Sequence, residues 1–194
     1  AVATNQGDLS FSEFSLVHYE EGDSVGGYAS LALGDIDGDG DLDASLAGLD
    51  RVVPGEVPSE DPEAWRPTAD LLLLNEGGVL APYQELACAE GASLSLVQVF
   101  SDRDQDGDLD LFAWSDRAGI GPIPLAVTWR NGGQQDGELL LVDDAADINA
   151  NSRASAMGHA GADLNGDLLP DYCVSDTAEA LTCLLSDGEG GYYE

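Results

Sequence analysis

The sequence predicts an all-β fold built from repeated four-stranded antiparallel units. Three observations predict it. An acidic nonapeptide recurs from Asp35, Asp102 and Asp163, at spacings of 67 and 61 residues. A polar residue closely followed by Gly marks a second series of tight turns: N-Q-G-D at Asn5, N-E-G-G at Asn75, N-G-G at Asn131 and S-D-G-E at Ser186. Short apolar runs rich in β-branched and aromatic residues lie between these markers, and no window carries the 3.6-residue apolar period of a helix. Four short strands per roughly 60 residues, with turn signals between them, is the arithmetic of a β-propeller blade.

Each unit reads strand, acidic loop, strand, turn, strand, N-x-G turn, strand. In the first unit the strands are expected at 28–34, 42–48, 70–75 and 79–86. In the second they are expected at 95–101, 109–114, 124–130 and 138–142. In the third, S-A-M-G-H-A-G-A-D leads into the loop, D-Y-C-V-S leaves it, 180–185 is the next strand, and Tyr193 and Glu194 begin the last. The chain therefore reads as one repeat domain over 1–194, with units near 15–86, 87–142 and 143–194.

Residues 1–14 are expected to form the outer strand of a preceding or closing blade, because 5–13 aligns without a gap to 186–194. Three repeats are fewer than the four to eight blades of a closed propeller. A fragment of a longer propeller, a ring completed by other chains and an open stack of sheets all fit. The first two are favoured, since unclosed blades expose sheet faces and edges. Residues 11–17 are expected to pair as a strand outside their own repeat, anchored by Phe11 and Phe14.

The first acidic loop, D-I-D-G-D-G-D-L-D, sets five carboxylates at alternate positions. Their repulsion would splay the backbone unless a cation sat among them. Ca²⁺, which takes six to eight oxygen ligands at roughly 2.3–2.6 Å, suits such a cage. The expected ligands are the side chains of Asp35, Asp37, Asp39 and Asp43, with the carbonyl of Asp41. In the second loop they are Asp102, Asp104, Asp106 and Asp110, with the Asp108 carbonyl. In the third they are Asp163, Asn165, Asp167 and Asp171, with the Leu169 carbonyl. A solvated turn would explain one such loop; recurrence argues for metal, and two or three ions are expected.

The third loop is expected to bind most weakly. It has Leu168 where the others have Gly40 and Gly107, Asn165 for an Asp, and Pro170 before its last ligand. An EF-hand is excluded, because position 12 is Leu46, Ala113 or Val174 where a bidentate Glu is required, and strand-like sequence follows. A nine-residue loop of this D-x-[DN]-x-D type joining two strands resembles the calcium-binding FG-GAP/VCBS repeats of integrin α-subunit β-propellers and many secreted bacterial proteins. The lead-in to the third loop is similar, more loosely, to ASPIC/UnbV-type proteins. The resemblance recurs with the repeat and so covers nearly the whole chain. It implies a calcium-binding propeller module, secreted or at the cell surface.

The charge narrows the partners. There are 38 acidic residues against six basic ones, all Arg, for a net charge of −32. The three nonapeptides hold 13 of the acids, so 25 remain against six, and the loops do not account for the acidity. Nucleic acid and anionic membrane surfaces both demand positive patches and are not expected as partners. A saline or calcium-rich medium would screen the repulsion. There is no 18-residue apolar run and hence no membrane-inserted helix. The chain starts A-V-A, so either a leader has been removed or the chain is a piece of something longer. Calcium sites of the extracellular kind, with affinities of about 10⁻⁴–10⁻³ M, would be empty in the cytosol, which again points outside the cell.

Three cysteines remain. Cys173 and Cys183 flank an expected turn at 177–179 and fall opposite one another on a hairpin. A disulfide there and a pair of small buried hydrophobes are both open readings. Cys88 has no evident partner.

Two stretches interrupt the repeat. Residues 50–68 insert a long loop with four prolines between the second and third strands of the first unit, and 117–124 do so more briefly in the second. Both fall on the face opposite the acidic loops. Long loops on a rigid scaffold are where binding concentrates, so this face is expected to meet a protein or glycan, with Trp65, Arg66 and Ile120 as candidate contacts. Self-assembly or pairing with other propeller chains is the alternative. A decorated loop with no partner fits as well.

Enzymatic activity is not expected. The two histidines, His18 and His159, fall in no catalytic constellation, and His159 reads as structural. No carboxylate pair stands out for glycoside hydrolysis, and the acidic loops look saturated with protein ligands. The alternative roles are a subunit of a surface assembly or filament and a non-catalytic part of a secreted enzyme.

Overall fold

A computed structural model describes residues 6, 7, 10, 12, 25–52, 68–87, 94–116, 126–150, 154–176 and 181–194. Those residues form three four-stranded antiparallel sheets and, among them, no helix. Sheet 1 is β1 (Val25–Gly34), β2 (Asp43–Val52), β3 (Asp70–Asn75) and β4 (Leu80–Leu86) in that order. Sheet 2 is β5 (Ser95–Ser101), β6 (Asp110–Ser115), β7 (Val127–Gln135) and β8 (Glu138–Asp143). Sheet 3 is β9 (Ala156–Ala162), β10 (Asp171–Asp176), β11 (Thr182–Ser186) and β12 (Tyr192–Tyr193). Every connection joins neighbours, so each sheet is a simple meander whose first hairpin is closed by an acidic loop.

The three sheets stack face to face through two apolar clusters. β6 is buried along its whole length, and alternation divides its side chains between the two sides. Leu111 joins Ile36, Leu72, Leu86, Val127, Trp129 and Leu139 between sheets 1 and 2. Phe112 and Trp114 face the other way, against Tyr172, Val174, Leu184 and Tyr192 of sheet 3. The Phe112 and Tyr172 rings lie 4.3 Å apart. His159 stacks on Trp114 at 5.4 Å, and burial lowers its pKa. The first strands also meet in sequence, β1 against β5 and β5 against β9.

The strand bounds depart from expectation in two informative places. The β1–β2 hairpin runs on to pair Val25 with Val52, carried past Tyr28 by two bulges. Gly48 sits inside it because a Cβ there would lie 2.1 Å from the Thr68 carbonyl oxygen. The Thr68 N–H then donates to the Leu49 carbonyl at 2.8 Å.

In sheet 2, β7 continues through N-G-G to Gln135, with a bulge between Asn131 and Gln134. The tight turn is instead Asp136–Gly137, with φ of 57° and 88°. Asp-Gly with both residues at positive φ suits the right-handed twist of a hairpin better than N-G-G does.

Cys173 and Cys183 pair across β10 and β11 and form a disulfide. The short β12 is not left open on its outer side: Tyr192 N–H donates to the Ile148 carbonyl at 2.9 Å, and Asn149 Nδ2 donates to the Tyr192 carbonyl at 2.9 Å. The strand expected over 11–17, with Phe11 and Phe14, lies outside the described residues. So do His18, Cys88, Trp65, Arg66, Ile120, residues 117–124 and all but the ends of 50–68.

Candidate metal centre

All three acidic loops take one backbone path, held by their own side chains. The first-position Asp accepts from the sixth-position N–H: Gly40 to Asp35 at 2.9 Å, Gly107 to Asp102 at 3.2 Å and Leu168 to Asp163 at 3.0 Å. The third-position side chain accepts from the fifth, and the fifth from the seventh. These Asx turns use one side-chain oxygen at each of the third and fifth positions. The sixth residue has positive φ in each loop: 97° at Gly40, 102° at Gly107 and 71° at Leu168. Leu168 therefore adopts the left-handed conformation it was expected to resist, with its side chain out in solvent. The fourth position is also left-handed, at Gly38, Gln105 and Gly166, a requirement signalled only by the two glycines.

In the first two loops, carboxylate oxygens converge. Asp35, Asp37 and Asp39 each offer one oxygen, all within 4.8 Å of one another, and so do Asp102, Asp104 and Asp106. Asp35 Oδ1 and Asp102 Oδ1 are buried and have no hydrogen-bond partner. Burial, and then the charges of Asp43, Asp39 and Asp35, raise the pKa of Asp37 against the Asp39 N–H. Such orphaned oxygens, in an all-carboxylate donor set, fit a hard divalent cation. The carbonyls of Asp41 and Asp108 lie at the seventh position of the same loops.

The third loop brings its groups together differently. Both Asp163 oxygens are engaged, by Gly166 and Leu168 N–H. Asn165 Nδ2 donates to Asp167 Oδ2 at 3.1 Å and to the Ser186 carbonyl at 2.9 Å. The loop thus satisfies its own side chains. Leu169, at its seventh position, donates its N–H to Asp167 at 2.8 Å.

The ninth-position aspartates have backbone partners of their own. Asp43, Asp110 and Asp171 are fully buried. Each bridges two backbone segments: Asp43 accepts from Ile36 and Asn75, Asp110 from Arg103 and Asn131, and Asp171 from Leu164 and Ser186. They tie the acidic loop to the N-x-G marker of the same sheet. Asp171 is the most fully engaged, each of its oxygens accepting a second bond from Asn165.

Sequence reasoning missed Arg103, which occupies the second position, where the other loops have Ile36 and Leu164. It is buried and paired with Asp144 and Asp110. Burial raises the pKa of Asp110 to about 6 even though the Asn131 N–H and Arg103 oppose the shift. The only early sign was a lone Arg inside an acidic repeat.

Neighbouring sheets are coupled at this end of the fold. Asn131 Nδ2 donates to the Ile36 carbonyl at 2.8 Å, and Gln134 Nε2 to the Asp37 carbonyl at 3.2 Å. Gln105 Nε2 donates to the Leu168 carbonyl at 2.6 Å, joining the second loop to the third. No family model matches the chain, and a comparison with curated proteins finds no match.

Proposed function

We propose that the chain is an extracellular calcium-binding module of β-propeller type, its calcium structural, serving protein or glycan binding or adhesion. The observation that carries the calcium reading is the pair of orphaned buried oxygens, Asp35 Oδ1 and Asp102 Oδ1, each beside two further carboxylates. Asp35, Asp37 and Asp39 would hold one ion and Asp102, Asp104 and Asp106 another. The ion would supply the positive charge that lets these side chains stay together; the loops themselves set the backbone path. The propeller reading is supported by three successive meanders with stacked faces whose first strands meet in order. The Cys173–Cys183 disulfide favours an oxidising compartment. No described helix is long and apolar enough to cross a membrane.

The second reading, a subunit of a surface assembly, has its own observation. On the face of sheet 3 turned away from sheet 2, Tyr193 is exposed opposite Leu185, and Leu181 is exposed just before β11. Light scattering in calcium separates the two. A monomer supports the binding module, and a discrete ring or polymer supports the assembly. For the calcium itself, EDTA should lower the melting temperature and Asp106→Ala should reproduce part of the loss; identical melts would count against it. At tenfold excess over its dissociation constant, one ion stabilises by about 1.4 kcal/mol.

A further inference from the structure

Asp70 opens β3 and is 1% exposed. Its Oδ1 accepts from Gly48 N–H at 2.7 Å and its Oδ2 from the Ser95 hydroxyl at 2.9 Å. No ion pair reaches it among the described residues; Arg103 and Arg130 are spent on Asp110 and Asp144. A buried carboxylate with neutral neighbours alone is costly.

The groups around it are short of partners too. Gln98, on β5, is 5% exposed and turns its amide toward the same carboxylate, yet neither amide atom meets hydrogen-bond geometry. Ser45 is fully buried with its hydroxyl unpartnered. It pairs with Leu72, two residues along β3 from Asp70, and so shares the face turned to sheet 2. The buried hydroxyls of Ser30 on β1 and Thr68, just before β3, are likewise unpartnered. At the seam itself, the orphaned Gln98 amide and Ser45 hydroxyl beside a buried carboxylate call for an occupant.

We propose that Asp70 is the charged ligand of a buried monovalent-cation site between sheets 1 and 2, with Ser45 Oγ and, once the Gln98 amide turns over, Gln98 Oε1 as neutral oxygen ligands. One carboxylate balances one positive charge, whereas a divalent ion would bring an uncompensated second charge into the seam. The site is separate from the acidic loops and does not depend on their metal.

The chemical competitor is a proton. Burial pushes the pKa of Asp70 up to about 7 against the Gly48 and Ser95 hydrogen bonds and the Gln98 amide, so the test is made at pH 8, where the carboxylate is mostly charged. Melting temperatures are measured in sodium, potassium and choline chloride at equal ionic strength, with calcium saturating. A saturable rise of roughly 3 °C in sodium or potassium over choline is expected. Asp70→Asn should abolish that increment while leaving the response to calcium. Gln98→Leu, which keeps the charge, should raise the cation concentration needed several-fold. Line broadening of ²³Na by the folded protein, lost in Asp70→Asn, reads the site without unfolding. Equal melts in the three salts, or an undiminished cation increment in Asp70→Asn, would overturn the proposal.

Discussion

Asp43 joins two distant stretches of backbone: its Oδ1 accepts from Asn75 N–H at 2.8 Å and its Oδ2 from Ile36 N–H at 2.9 Å. The relationship recurs as Asp110 with Asn131 and as Asp171 with Ser186. Each aspartate is thus a bracket for its sheet whatever metal lies nearby. Asp43→Ala leaves two N–H groups without acceptors and should cost about 2–4 kcal/mol. Urea unfolding in EDTA checks this, because the loss should persist without calcium. A loss seen only with calcium would make Asp43 a ligand before a bracket.

Leu168 holds φ at 71° with its side chain 80% exposed. A non-Gly residue in this region costs about 1 kcal/mol, and little burial is lost on trimming it. Leu168→Gly should therefore stabilise the fold by up to about 1 kcal/mol, offset in part by glycine's greater unfolded freedom. Thermal unfolding of the single variant measures it, and a destabilised variant would count against strain at this position.

Asp70 carries a pH signature. Burial raises its folded pKa to about 7, above the unfolded value of 3.8, so the folded state binds the extra proton between them. Its contribution is complete below pH 3.8 and is lost as pH rises through 7. In choline buffer, Asp70→Asn should flatten this part of the stability profile. The measurement is denaturant unfolding from pH 4 to 8 for both proteins, and parallel profiles would refute the assignment.

The disulfide closes a short hairpin, Cys173 to Cys183 being ten residues apart. Loop-closure entropy for so small a ring amounts to about 2–3 kcal/mol. Cys173→Ser with Cys183→Ser should lower the melting point, as should reductant on the native chain. A melt unaffected by either would leave the bond without a stabilising role.

Much of this architecture was readable in the chain because its signals are local. The acidic loops, the alternating runs and the Gly-marked turns each lie within a dozen residues, and the three meanders follow from them. The Asn131 marker shows the limit: its N-G-G looked like the hairpin turn, but Asp136–Gly137 makes the turn and Asn131 serves Asp110 and Ile36. What escaped depends on residues far apart in sequence. Asp43 meets Asn75 across 32 positions, and Arg103 meets Asp144 across 41. In the third loop the sequence marks Asn165, Leu168 and Pro170 as departures, but not that the Asn165 amide turns onto Asp167 and the Ser186 carbonyl, 21 positions away.

The most direct test is anomalous diffraction from crystals grown in about 10 mM calcium, well above the affinities expected of extracellular sites. The account predicts one peak among Asp35, Asp37 and Asp39 and one among Asp102, Asp104 and Asp106, each at about 2.3–2.6 Å from its oxygens, with the Asp163 loop weaker or empty. Ordered loops without a peak at either of the first two sites would contradict it.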